Sequence, residues 1–214
     1  MKLKEAILKR RSIRIFDKNK KVSKKIVKDI LDIARWAPSH CDTQEVKFIV
    51  VDNDEIKRKI VDGGGSPIIR NAPIGILVLY NNVSDNVEYQ DYIQSAAAVI
   101  QNICLYAYSK GLGTCWINHL PTKEYLRKLF RVPKIYDPIA YVIMGYPLNP
   151  PKNVPRIFGI EEMISYNKFE SSINEVKDIK LKCFFRDIYY MLPTWIKRKI
   201  NPFLQKYFVK RFEN

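Results

Sequence analysis

The sequence predicts one globular domain of mixed helices and strands, and two patterns predict it. Three apolar runs, Val46 to Val51, Ile74 to Tyr80 and Ile139 to Met144, have the length and composition of buried strands. Around them lie segments whose apolar residues recur at three- and four-residue spacing, as amphipathic helices require. The 214 residues, 47% of them hydrophobic, are enough to bury a sizeable core.

The first element is a short helix built on Leu3, Ala6, Ile7 and Leu8, and it ends at Arg10-Arg11-Ser12-Ile13-Arg14. With Ser12 to Phe16 extended, Arg10, Ser12 and Arg14 share one face, and Ile13 and Ile15 point into the core. Arginine is charged at any working pH, and its fork of donors matches phosphate oxygens. This stretch therefore suits a phosphorylated small molecule. Ser23 caps a helix from Lys24 to Trp36, in which Ile26, Val27, Ile30, Leu31, Ile33 and Ala34 keep helical spacing. Pro38 stops it, because a proline drives the residue before it out of the helical region. The loop Ala37-Pro38-Ser39-His40-Cys41-Asp42-Thr43-Gln44 is dense in hydrogen-bonding groups and runs directly into the first strand. Loops held between rigid elements are where binding groups tend to sit.

Asp54 caps a helix from Glu55 to Val61, and Gly63-Gly64-Gly65 makes a flexible turn without the G-x-G-x-x-G spacing of a dinucleotide site. Asn71-Ala72-Pro73 leads into the second strand. Residues 90–110 form the longest helix, with Ile93, Ala96, Ala97, Ile100, Ile103, Cys104 and Ala107 as a stripe containing small residues. Such a stripe packs closely, in a core or at a subunit interface. Lys110-Gly111 ends it. A tight turn then enters a short strand through Thr114-Cys115-Trp116-Ile117 to Asn118 and His119. Thr122 caps a helix to Phe130. The last strand closes with Gly145-Tyr146-Pro147, and the proline-rich run to Arg156 is extended.

Composition narrows the function. The four cysteines, Cys41, Cys104, Cys115 and Cys183, are scattered, and His40 and His119 are the only histidines, so no metal site is expected. No apolar run reaches the length of a membrane span, and the N-terminus begins as an amphipathic helix without a signal-peptide core, which reads as cytoplasmic. The net charge of +15 sits at the two ends: residues 1–28 carry twelve Lys/Arg against two acids, and residues 180–212 carry nine against one. A basic surface attracts phosphates, nucleic acid or anionic lipid without choosing among them.

Four segments occur together in order: Arg10-Arg11-Ser12-Ile13-Arg14, Ala37-Pro38-Ser39 with Gln44, Gly111-Leu112-Gly113-Thr114-Cys115-Trp116, and Gly145-Tyr146-Pro147 followed by Arg156. In order and spacing they resemble the nitroreductase family of flavoproteins, over about residues 1–165. The resemblance implies an α+β fold with a central, mixed but mostly antiparallel sheet flanked by helices. It implies a homodimer with FMN at the interface, and an NADH- or NADPH-dependent oxidoreductase that reduces a small organic acceptor, such as a nitro compound or quinone, by ping-pong turnover. By position it implies that Arg10, Ser12 and Arg156, with Arg11 beside them, bind the FMN phosphate and ribityl end. It puts Arg14 near the N1–C2 edge of the ring, where a cation stabilises the reduced flavin. Pro38, Ser39 and His40 would contact the flavin from the partner subunit, Asp42 and Gln44 would also bind it, and the backbone around Asn118 and His119 would lie near N5. The implied catalytic residues are His119, Asn118 and Arg14.

The chain departs from that pattern in two places. The family often has Asn-x-Gln-Pro-Trp where this chain has Asp42-Thr43-Gln44-Glu45-Val46, and commonly a small residue where it has His119. An ionised Asp42 near the ring would lower the flavin potential, and the His119 imidazole would narrow the pocket or supply a proton. Cys115 is expected to be a packed residue with no activated thiol.

Residues 166–214 extend beyond the resemblance. Amphipathic spacing predicts a helix over Leu181 to Leu192, a short piece through Trp195, Ile196 and Ile200, and a last helix carrying Phe203, Leu204, Tyr207, Phe208 and Phe212. This basic, aromatic extension suits packing on a partner subunit or peripheral contact of 180–212 with an anionic membrane. No nucleic-acid motif is present, so no nucleic-acid partner is expected. Two alternatives stand beside the leading reading: an enzyme specialised for one metabolite at a membrane surface, and a non-catalytic flavin-binding protein.

Overall fold

The computed structural model describes residues 2–84, 86, 88–151 and 154–169, and positions 188, 196 and 200. The chain divides into two units, Met1–Asn153 and Val154–Asn214. The first unit holds helices α1 (Leu3–Lys9), α2 (Lys24–Ala34), α3 (Asp54–Asp62), α4 (Asp91–Ser109) and α5 (Lys123–Phe130), and strands β1 (Val46–Val51), β2 (Ile74–Asn81), β3 (Gly113–Ile117) and β4 (Tyr136–Gly145). The four strands form one sheet in the order β1-β2-β4-β3, with every neighbouring pair antiparallel. This is the α+β architecture expected.

Two apolar layers cover the sheet. β2 is buried along its whole length, so its alternating side chains feed both. Ile74, Ile76 and Val78 pack with Val27, Ile30, Ile100 and Ile103 of α2 and α4. Leu77 and Leu79 pack on the other face with Ile60, Ile69 and Leu126. Each such side chain contributes roughly 1.5–3 kcal/mol on burial. β4 carries Pro138, which cannot donate to a ladder. The register slips there: Val78 faces Ala140 but Leu79 faces Pro138, leaving Ile139 as the extra residue of a bulge. Gly75 is required by close approach, since a Cβ there would meet the Tyr141 hydroxyl at 1.8 Å.

The helix signals hold with small corrections. Ser23 Oγ accepts from the Ile26 N–H, as a cap should, but α2 ends at Ala34 rather than Trp36. α3 is capped by Asn53, whose carboxamide oxygen accepts from Glu55 and Ile56, and Asp54 is its first residue. Thr122 caps α5. The 63–65 turn is tied down: the N–H groups of Gly63, Gly64 and Gly65 donate to Lys59, Val61 and Ile60 carbonyls. The expectation for Ile15 fails, because its side chain is exposed and Phe16 takes the buried place.

In the second unit, residues 154–169 hold turns and bends, with Arg156 exposed, and the backbone at 188, 196 and 200 is helical. The helices expected over 181–192 and 201–212 lie outside the described residues apart from those positions. Among the described residues no helix is long and apolar enough to cross a membrane.

Candidate functional site

The 10–16 stretch is extended and docks on the β3 edge and on the segment after β4. Ser12 bridges Thr114, Phe16 bridges Pro147, and the Ile13 N–H donates to the Thr114 carbonyl at 2.9 Å. Alternation holds, with Arg10, Ser12 and Arg14 on one side and Arg11 and Ile13 on the other. Burial pushes the Cys115 thiol up, while Arg14, Ser12 and Arg10 act on it in the opposite sense. Cys115 is thus a packed, unactivated thiol. Ile13 and Arg11 line a shallow groove with Tyr108, Leu112, Pro147 and Pro151. The Arg11 guanidinium donates to the carbonyls of Leu8 and Arg10, both at 2.7 Å, closing the end of α1. The Asn71 carboxamide donates to the Arg14 carbonyl at 3.3 Å.

Asn118 and His119 follow β3. Trp116 Nε1 donates to Asn118 Oδ1 at 2.8 Å, so the carboxamide oxygen is used as an acceptor and its N–H groups are the donors that Asn118 has to offer. The His119 carbonyl accepts from the Ser66 N–H at 3.0 Å. Its ring is solvent-accessible, yet neighbouring groups remove enough water to push the imidazole below its ordinary value. Neutral imidazole is therefore the favoured form near pH 7. Residues 66–71 run between His119 and Arg14 and touch both.

The 38–44 loop is a separate construction. Cys41, Asp42 and Gln44 all have φ near +50°, a left-handed conformation that costs non-glycine residues of order 1 kcal/mol or more each. Local hydrogen bonds hold it: the Gln44 N–H donates to Ser39 Oγ at 3.1 Å, and the Gln44 carboxamide to Asp42 Oδ1 at 2.8 Å. His40 is half-buried against Tyr80, with ring centroids 5.8 Å apart. Its backbone N–H donates to Ser95 Oγ of α4 at 2.9 Å, and Thr43 Oγ1 is 3.2 Å from the Tyr80 hydroxyl. Pro38 is exposed at the mouth of this loop.

The register sets these pieces apart. Gly113 pairs with Gly145 at the end of β4, and Tyr80, beside His40, pairs with Asp137 at its start. Asp137 and Gly145 are eight residues apart along β4, so the arginine end and the histidine end of one chain stand roughly 25 Å apart. Arg156 belongs to the second unit. Sequence reasoning did not single out Asn71, Ser66, Ser95, Thr43 or Tyr80. Asn71 was legible only as the start of the Asn71-Ala72-Pro73 lead into the second strand, and Ser95 only as a residue within the longest helix.

A family model described as the nitroreductase family matches residues 7–63 and 61–146. The chain belongs to the nitroreductase family. A Methanothermobacter thermautotrophicus protein, provisionally named NADH dehydrogenase/NAD(P)H nitroreductase, is 34% identical over 156 residues, covering 71% of this chain and 80% of that one. A Bacillus subtilis protein named FMN reductase [NAD(P)H] is 28% identical over 166 residues, covering 69% and 66%. The solved structure of an FMN-dependent nitroreductase from Clostridium difficile superposes with a TM-score of 0.65 at 27% identity, covering 77% of this chain and 98% of that one. The nitroreductase family is FMN-dependent. The arginine end fits such a cofactor: the stretch that carries Arg10, Ser12 and Arg14 bridges at Ser12 to Thr114, whose buried hydroxyl has no hydrogen-bond partner among the described residues.

Proposed function

We propose that this nitroreductase-family chain is an FMN-dependent oxidoreductase that takes electrons from NADH or NADPH. It passes them to a small organic acceptor, a nitro compound, quinone or similar, by ping-pong turnover. Bound FMN supplies the redox chemistry. The chain supplies charge and position. Arg10 and Ser12 hold the phosphate and ribityl end, while Arg11 closes the helix before them. Arg14 fixes a cation beside the ring edge where negative charge develops, and the Asn71 contact steadies its backbone. Asn118 and His119 line the approach to N5, with the Asn118 amide offering donors there.

One observation carries this reading: the two halves of the candidate site lie at opposite ends of one chain's sheet. Pro38, Ser39, His40, Asp42 and Gln44 reach the arginine end only if a second copy brings them. A homodimer with FMN at its interface answers that geometry. Exposed apolar side chains support it: Leu3, Ile7 and Leu8 on α1, and Ile33 and Trp36 on and after α2, are surface that a second copy would cover. The proposed location is cytoplasmic, with the 166–214 extension packing on the partner subunit or, alternatively, its 180–212 part touching a membrane surface. Flotation with anionic liposomes tests that contact, and failure of the whole protein to float removes it.

The visible spectrum of the purified protein, before and after anaerobic NADH and NADPH, tests the main proposal. Two flavin bands, extracted as FMN at about one per chain and bleached by one nucleotide, are expected. A protein that stays colourless with added FMN would overturn it. Bands that resist both nucleotides would favour the non-catalytic alternative.

A further inference from the structure

Ser95 has one hydroxyl proton and three polar neighbours. The Asp91 carbonyl lies 3.0 Å from Oγ, the His40 backbone nitrogen 2.9 Å, and His40 Nδ1 3.1 Å. A carbonyl only accepts, so the Ser95 proton goes to Asp91, the bond a serine in a helix commonly makes to the residue four before it. A backbone N–H only donates, so Ser95 accepts from His40 N. The third contact is then a hydrogen bond only if Nδ1 itself carries a proton. Thr43 Oγ1 lies 3.5 Å from Nδ1, at the limit of contact, and turns instead toward the Tyr80 hydroxyl at 3.2 Å. All three contacts of Ser95 are satisfied when Nδ1 carries a proton, which in the neutral imidazole means the Nδ1–H tautomer.

A neutral imidazole holds one proton, so Nε2 is left as a bare lone pair. Among the described residues no protein group bonds to it. The loop that carries it is strained at three residues and clamped by Ser39 and Ser95. We infer that Ser95 is a positioning residue that locks His40 in this tautomer, so that Nε2 accepts a hydrogen bond from an N–H or O–H of the flavin held by the partner subunit. FMN has such donors in its ring imide and its ribityl hydroxyls. The inference rests on the FMN reading above for its ligand, but not for its tautomer.

The test is nitrogen-15 NMR of the histidine side chains in the FMN-loaded protein, at about pH 8.5, well above the ordinary histidine value, with His119 assigned by substitution. The expected spectrum has His40 protonated at Nδ1, and Ser95→Ala loses that preference while Ser95→Thr keeps it. A wild-type His40 protonated at Nε2 would overturn the tautomer assignment. Two further variants test the ligand bond. Asn at 40 can reach Ser95 but not outward, whereas Gln can place an acceptor near the Nε2 position. His40→Asn should therefore weaken FMN binding by about tenfold, the value of one hydrogen bond, and His40→Gln by much less. Equal affinity in both variants would overturn the bond to flavin while leaving the oxidoreductase reading intact. Absence of FMN binding in the wild type would overturn that reading and the ligand bond together, and the tautomer would be judged on the spectrum alone.

Discussion

His119 shows how a single side chain can set the task of a site. Its imidazole is held below its ordinary value by loss of water around the ring, so at neutral pH it offers a neutral hydrogen-bonding group rather than a ready acid. Its backbone is fixed by Ser66, so truncating the ring leaves the loop in place. His119→Ala should keep FMN bound but slow reoxidation of the reduced protein by its acceptor, on the order of tenfold or more if the ring assists the transfer. Stopped-flow traces with several acceptors check this, and unchanged rates with all of them would reduce His119 to a wall of the pocket. Tyr141 is the opposite case, a polar group with no task visible. Its hydroxyl is buried without a partner among the described residues. Tyr141→Phe removes an unpaid desolvation cost and should raise stability by about 1 kcal/mol, read as a thermal midpoint higher by roughly 2–4 °C.

At the scale of elements, the sequence was most legible where local chemistry decides. The strand from Val46 to Val51 and the caps at Ser23 and Thr122 follow from runs and side chains that act on their own neighbours. Ile15 was misjudged because strict alternation lapses after Ile13: Ile13 packs on the core, Ile15 is exposed, and Phe16, bridged to Pro147, takes the buried place. The motif residues were legible by type, but their distribution over two ends of the sheet was not, since strand order is set by long-range pairing. Lys57 was invisible for the same reason. A lysine on a short helix reads as surface, yet this one is 3% exposed and donates to Asp54 at 3.0 Å and to the carbonyls of Ala72 and Pro73 at 2.9 and 2.8 Å. It pins α3 to the entry of β2, next to the Asn71 that touches Arg14. Lys57→Met keeps the stem but strands two carbonyls, and should cost about 2–4 kcal/mol in urea unfolding.

For the whole molecule, acid stability hangs on a buried carboxylate. Asp137, at the start of β4, is bonded by Lys123, Arg127 and the Asn82 carboxamide, and the Tyr92 hydroxyl donates to it at 3.3 Å. Burial alone would raise its carboxyl, but Lys123, Asn82 and Arg127 outweigh that and hold it below the ordinary 3.8. The folded value is lower than the unfolded one, so the stability gained is complete above the unfolded value and lost as pH falls through the folded value. The urea midpoint should therefore fall steeply below about pH 4. Asp137→Asn should be weaker at neutral pH and show a shallower acid slope. An identical slope in the variant would assign acid sensitivity to other carboxylates.

The separation of the arginine and histidine ends along β4 also bears on inheritance of damage. If each copy lends one end to each of two sites, a defect at either end spoils both sites of a uniform dimer. Mix a copy defective at Arg10 with one defective at His40, and the two injuries collect in one site while the other is made whole. Unfolding and refolding equal amounts of Arg10→Ala and His40→Ala together should restore about a quarter of the sites, from two preparations that each have none fully intact.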